Sequence, residues 1–431
     1  MTLRTQFATG QGNGENGRLV GREAASAALE SLPVERVDYC QVFTSSKFEY
    51  ENVLEGIRDI VGDETTVFGA SAAGEFTESG VKAGSVTVAT VASDTLEFFT
   101  SLSTGLSADP HECIFEAVHD LPREGDPRLE AYPHRAAINL HDGLSGIGNT
   151  VSRLSLQYFD DAVKLAGGAA GDDLQLEETV VFADGKIASD AVAYTLIGSK
   201  EPIPMTVNHG HEPITEPMTV TEADGSTVSE IDGKPAYQVW AEAIRESARE
   251  TYGIDVDELS DGSDELSMML TRYEFGIESE PDQEGDGDSG IVRRLRQYIA
   301  EKMISTSGYN IRWPGLTETT GGALEFAVEI HEGTELRVMH STPEDQITCV
   351  RQAAANAAAT TNGTDIAGGF VYDCICRGTI LGNDFDRAVE AISEEVNAPF
   401  AGFETYGEIC SDVEEYTSYH NTSSVVMLLP R

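Results

Sequence analysis

A stretch built almost entirely of glycine, alanine and serine, closed by a glycine and a carboxylate, opens the reading of this chain because it recurs. "VFGASAAGEF" occupies residues 67–76, "LAGGAAGDD" residues 165–173 and "FAGFETYGEI" residues 400–409. Aligned on the last glycine, they give Gly69…Gly74-Glu75, Ala166…Gly171-Asp172 and Gly402…Gly407-Glu408. A run with almost no side chains at a strand end lets the backbone come close to something else. Two readings stay open: backbone packed on backbone with the acid capping a turn, or a ligand floor of exposed N–H groups and a carboxylate. The third copy, with Phe403, Glu404, Thr405 and Tyr406, is aromatic and polar where the others are bare. A bare corner facing an aromatic one would make a small-molecule pocket.

The surrounding pattern places these corners in βαβ-like units. "VDYCQVFTSS" reads as a buried strand, "FEYENVLEGIRDIVG" as an amphipathic helix and "TTVFGAS" as a second strand, followed by the strands "SVTVATVAS" and "TLEFFTSLS". The succession restarts with "HRAAINLHDG", a helix, "VKLAGGAAG" and a hairpin turning at Asp184-Gly185. It opens a third time with "IAGGFVYDCIC", "DFDRAVEAISEEV" and "PFAGFETYGEI". The fold class is therefore α/β (or α+β): mixed sheets flanked by helices, with repeated β-α-β-β-β units. A chain of 431 residues exceeds one ordinary core, so two domains are expected. Residues 1–34 are read as a flexible segment, 35–205 as the first domain, 206–229 as connecting strands and 230–431 as the second domain, with a solvated acidic loop at 278–290.

Charge narrows the function classes. The chain carries 74 acidic against 28 basic residues, a formal net charge of −46, and only 7 of the basic residues are lysine. The acids are dispersed, as on the acidic surface of a halophilic protein, and self-repulsion of this size needs salt screening. Nucleic acid is excluded as a partner, since its affinity rests on Lys and Arg neutralising phosphates. No window reaches the length of a membrane span and the start has no apolar leader, so a cytoplasmic location without membrane contact is expected. The six cysteines read as buried free thiols.

Several residues are candidates for chemistry. Period-two alternation at the end of "YDCICRG" would put Cys374 and Cys376 on one face and Arg377 on the other. Arg377 could grip the carboxylate of a zwitterion while Glu408 or Asp172 takes its ammonium; the competing reading is a structural Arg–acid pair. Cys376 with His420, oriented by Asn421, would make a hydrolase, although no nucleophile signature accompanies it. His209-x-His211 could share a strand face toward a metal but lacks a third ligand. No metal or cofactor is expected.

These motifs, together with "HGHEPITEPMTVTEADGSTVSEIDGKPAYQVW" and "YHNTSSVVML", resemble the FIST family over most of the chain and in the family's order. The resemblance implies a sensory module in signal transduction that binds a small ligand such as an amino acid and, with no output domain in this chain, signals through a separate protein. Ligand-binding candidates are Ser71, Glu75, Asp172, Asp173, Arg377, Tyr406, Glu408 and Asn421. The rival functions are the Cys376/His420 hydrolase and a structural or protein-interaction scaffold whose corners only pack.

Overall fold

The computed structural model describes residues 4–32, 34, 36–159, 162–278, 308–315, 320–361, 363–411 and 419–431. The acidic run 278–290 lies outside the described residues beyond Glu278. Three six-stranded sheets share one plan. At the centre of each lies a parallel pair bridged by a helix: Tyr39–Ser45 with Thr66–Ala72, His134–His141 with Val163–Ala169, and Ile366–Cys374 with Phe400–Thr405. Beside each pair run two antiparallel strands, Ser85–Ala92 and Gln6–Asn13 in the first sheet, Ala191–Ser199 and Leu96–Thr104 in the second, and Ser424–Pro430 and Met205–Asn208 in the third. The structure is thus α/β with mixed sheets flanked by helices, as the alternating pattern implies.

The fifth and sixth strands of every sheet come from a different unit. After the corner at Gly74, the hairpin Glu75–Thr77 and Gly80–Lys82 leaves the first sheet and pairs with Phe400–Thr405 of the third. Past Gly407, Glu408–Ser411 pairs with Val163–Ala169 of the second sheet. The second unit returns the exchange: Val181–Ala183, with Lys186–Ala188, pairs with Thr66–Ala72 of the first. Three units, residues 6–92, 96–199 and 205–430, therefore interlock in a closed cycle. The halves 35–205 and 230–431 expected from sequence each hold strands of the other's sheets.

The repeat is longer than β-α-β-β-β. Each unit begins one strand and one helix earlier, and this corrects the flexible N-terminal segment. Gln6–Asn13 pairs along its whole length with Ser85–Ala92, and the helix Gly17–Glu30 covers it. The glycines that suggest flexibility permit contact instead: a Cβ on Gly10 would stand 2.1 Å from the Ala24 carbonyl oxygen, and one on Gly12 would stand 2.3 Å from that of Val20. The strand Leu96–Thr104 and helix Pro110–His119 likewise open the second unit. In the third unit the corresponding strand, Met205–Asn208, is separated from its helix Pro343–Ala359 by a subdomain. That insertion carries an antiparallel sheet including Tyr273–Glu278, Tyr309–Arg312 and Glu335–His340, with helices Ala236–Tyr252 and Asp264–Arg272.

The core lies where the three sheets face each other. Phe43 stacks on Phe403 with centroids 4.3 Å apart, Tyr39 on Phe98 at 4.4 Å, and Phe370 and Tyr372 approach edge-on. The helices cover the outer faces, so the parallel strands are buried on both sides and their sequences are nearly continuous apolar runs. Among the described residues no helix is long and apolar enough to cross a membrane.

Gly69 tests the close packing under the hairpins. An ideal Cβ there meets the Val42 carbonyl oxygen at 1.9 Å and the Phe182 ring at 2.4 Å. Gly69→Ala should destabilise the protein by about 2–3 kcal/mol, read as a lower denaturation midpoint; an unchanged midpoint would contradict the hairpin exchange at this strand.

Candidate functional site

The carboxyl ends of the three parallel pairs converge, and their corners hydrogen-bond to one another in a ring. Ser71 N–H donates to Val180 O at 3.0 Å, Ala169 N–H to Gly407 O at 2.7 Å and Glu404 N–H to Gly74 O at 2.8 Å. Each bond joins a strand end to the start of the hairpin that crosses in from another unit. Carboxyl ends of parallel strands are where open α/β sheets bind ligands, which makes this face the place to search. A surface hollow of about 450 Å³ beside Arg58, Asp63, Thr66 and Asp184 lies at the opposite strand end, away from the corners.

Register corrects the alignment of the second corner. Phe76 pairs with Gly402, Phe182 with Gly69 and Ile409 with Gly167, so Glu75, Val181 and Glu408 are the equivalent residues opening each hairpin. Glu75 and Glu408 perform one task. Glu75 Oε2 accepts from Ser85 N–H at 3.0 Å and Ser85 Oγ at 2.8 Å, where its own unit's closing strand begins. Glu408 Oε2 accepts from Ser423 N–H at 3.1 Å and Oγ at 2.9 Å, and Thr405 Oγ1 donates to Oε1. Both are fully buried, and desolvation pushes each carboxyl up to about 8 against the pull of these donors. Glu75 Oε1 has no partner among the described residues.

Asp172 instead holds a loop. Its carboxylate accepts from the N–H groups of Leu176, Glu177 and Glu178 at 3.0, 2.7 and 3.1 Å and from the Tyr406 hydroxyl. Tyr406 thus ties the second corner to the third. Asp173 Oδ2 accepts from Ser45 Oγ, Ser46 N–H and Ser46 Oγ at 2.6–2.8 Å. Ser71 is spent on the ring, its hydroxyl accepting from Val180 N–H at 3.0 Å.

Arg377 is taken up by protein partners. Its Nε donates to Asp373 Oδ1 at 2.8 Å, and Nη1 donates to the Gln346 side chain and, at 3.1 Å, to Cys349 Sγ; the side chain is wholly buried. The structural pairing reading therefore describes it. Period-two alternation fails here because the strand ends at Cys374 and a short helix, Ile375–Leu381, starts at the next residue. Burial and the neighbouring Cys376 hold the Cys374 thiol well above its usual range.

Where the inserted subdomain covers this strand end, a buried polar seam forms. Glu274, on strand Tyr273–Glu278, is fully buried; Oε1 accepts from Thr422 Oγ1 at 2.6 Å, while Oε2 has no partner among the described residues. Desolvation raises its carboxyl well above the usual range, and the neighbouring Cys376 and Glu408 add to this. Arg312, 5% exposed, donates through Nη1 to the carbonyls of Ile311 and Tyr419, and burial brings its guanidinium down to about 10. Asn421 Oδ1 faces Trp313 N–H at 3.5 Å. His420 Nε2 contacts Cys410 O at 3.3 Å, and burial lowers its imidazole to about 4. No Cys376–His420 hydrogen bond is present among the described residues; His420 contacts the Cys410 carbonyl. The seam thus joins Cys376, Glu408, His420 and Asn421 to Glu274 and Arg312, which sequence reasoning missed. The available signal was a single charge between apolar or aromatic strand residues, "YEFGI" and "YNIRW".

The FIST N domain matches residues 38–234 and the FIST C domain residues 236–411. The chain belongs to the FIST family. FIST domains are associated with sensory signal transduction. An uncharacterized protein of Methanocaldococcus jannaschii is 33% identical over 261 residues, covering 60% of this chain and 43% of that protein. Another, from Mycobacterium tuberculosis strain H37Rv, is 23% identical over 282 residues, 64% of each chain. This FIST protein therefore spans between two fifths and two thirds of those relatives.

His209 and His211 bind each other's backbone and, through His211 Nε2, Ser341 Oγ at 3.2 Å; among the described residues no three His, Cys, Asp or Glu side chains form a metal site. The two serine-latched acids set a pH dependence. A carboxyl whose folded pKa lies above its unfolded value holds more protons in the native state, so its stabilisation is complete below about pH 4.5 and is lost as pH rises to about 8. Stability should fall by on the order of 1.4 kcal/mol per pH unit for each such group across that window. Glu408→Gln should flatten the slope in urea titrations, and an equally steep slope in the variant would refute the assignment.

Proposed function

We propose that this FIST protein is a sensory module that binds a small zwitterion, an amino acid or related metabolite, in the seam between the third sheet and the inserted subdomain. The observation that carries the reading is the buried Glu274 carboxyl with one oxygen unpartnered among the described residues; Arg312, on the paired strand Tyr309–Arg312, donates to two carbonyls of the same seam. A ligand ammonium would complete the hydrogen bonding of Glu274, and a ligand carboxylate would supply the anion that Arg312 lacks among the described residues. Arg312 takes the role first expected of Arg377. Because the seam is closed by the inserted subdomain, occupancy favours one placement of that subdomain over others, and this difference is what a separate signalling protein would read.

The reading keeps the cytoplasm as the working compartment, which the six buried free cysteines fit. It also keeps the acidic surface as a salt adaptation, inferred from the net charge of −46. The test is a thermal-shift series with amino acids in about 2 M KCl, a concentration that screens the surface charge. A ligand present at about 100 times its dissociation constant should stabilise the protein by about 2.7 kcal/mol, seen as a raised melting temperature. Glu274→Gln and Arg312→Lys should lose that shift while melting cooperatively. A shift retained in both variants would move the site elsewhere, and no shift with any amino acid would remove this ligand class.

A further inference from the structure

Two leucines between the second corner and its hairpin are unfavourable to the backbone and to the solvent at once. Leu174 and Leu176 are 49% and 56% exposed, and both lie in the left-handed region, at φ 61° and 54°, beside Asp173 at φ 53°. Elsewhere among the described residues a left-handed φ outside glycine falls on Asp, Asn or Thr. Asp and Asn support that conformation with a local hydrogen bond; leucine has no such group and brings its Cβ against the following carbonyl.

The surroundings impose the conformation. The Asp172 carboxylate gathers the N–H groups of Leu176, Glu177 and Glu178, the Tyr406 hydroxyl accepts from Leu174 N–H at 3.0 Å, and Asp173 is fastened to Ser45 and Ser46. These bonds use the backbone of 174 and 176 and would form equally with glycine or asparagine there. Leucine adds strain and leaves apolar surface in water. The chain's own folding therefore does not account for the two side chains, whereas an apolar cover does. A third exposed leucine, Leu144 at 39%, sits on the adjoining loop, where Gly143 N–H donates to Thr179 Oγ1 at 2.9 Å.

The charge of the rim selects the cover. Glu177 and Glu178 are exposed beside the leucines, and no basic residue occurs between Lys164 and Lys186. A second copy of this chain would set the same acids against these, and an anionic bilayer would repel them. A basic surface is complementary.

We propose that Leu174 and Leu176, held outward by Asp172 and Tyr406, anchor a basic amphipathic helix of a separate protein. Its apolar stripe covers the leucines, and its flanking Lys and Arg meet Glu177 and Glu178. Anchors fixed before contact spare the ordering cost of association. Docking here needs no occupant in the Glu274–Arg312 seam, so the two readings fail separately.

Fluorescence anisotropy of a labelled leucine–lysine peptide with amphipathic helical spacing, titrated with the full chain between about 0.5 and 2 M KCl, tests it. Saturable binding at one site per chain is expected, and a peptide with alanine in place of leucine should show none. Leu174→Asn combined with Leu176→Asn should weaken binding by about tenfold or more. That variant should melt at or above the temperature of the unchanged protein, because asparagine tolerates the left-handed backbone. Glu177→Gln combined with Glu178→Gln should weaken binding less and flatten its dependence on salt. Absence of saturable binding, equal binding of the alanine peptide, or binding retained in the asparagine variant would overturn the proposal. So would a lower melting temperature in that variant, which assigns the leucines to the fold, or a dimer that the variant dissociates, which assigns them to a second copy.

Discussion

The exchange of hairpins between units, closed by three backbone hydrogen bonds at the corners, is the constraint on which the rest of this structure depends. Each sheet has four strands of its own and takes its edge from another unit, so no unit can complete its sheet alone. The bonds from Ser71, Ala169 and Glu404 link the crossings in a cycle. Such a ring forms only if all three strand ends come within hydrogen-bond distance, and bulky side chains there would hold them apart. The Gly-Ala-Ser runs are thus a requirement of topology before they are a feature of any binding site.

That constraint also explains the acids. A chain leaving one sheet for another must begin its closing strand back in the first, and Glu75 and Glu408 reach from the crossing hairpin to Ser85 and Ser423 at that return. In the second unit a longer loop intervenes, Val181 opens the hairpin, and Asp172 secures the loop instead. The latches sit in a dry interior where the neutral carboxyl is preferred. The proposed ligand site draws on a group the latches do not use, the Glu274 carboxyl at the seam.

Several elements were legible without coordinates because their signals are local. The parallel pairs, their bridging helices and the turn at Asp184-Gly185 follow from apolar periodicity and turn chemistry. The strand Gln6–Asn13 was not, because its Gly10 and Gly12 imitate a loop while in fact admitting the helix Gly17–Glu30 at close range. Arg377 was chosen for its charge, yet Gln346 and Cys349, distant in sequence, occupy its guanidinium. At Asp172 the spacing of small residues is one position out of step with the register, because a run of Gly and Ala does not show which of them pairs with a hairpin.

The sequence by itself determined the three βαβ units, the small-residue corners, the acidic character and the resemblance to the FIST family, since each is written in contiguous residues. Tertiary structure alone decided which sheet each hairpin joins, that Glu75 and Glu408 are latches, and that one oxygen of Glu274 has no partner among the described residues. The physical reason is that a carboxylate's role depends on who donates to it. Those donors can lie 10 residues away, as Ser85 does from Glu75, or 148 away, as Thr422 does from Glu274, and only the folded chain decides which of them meets the carboxylate.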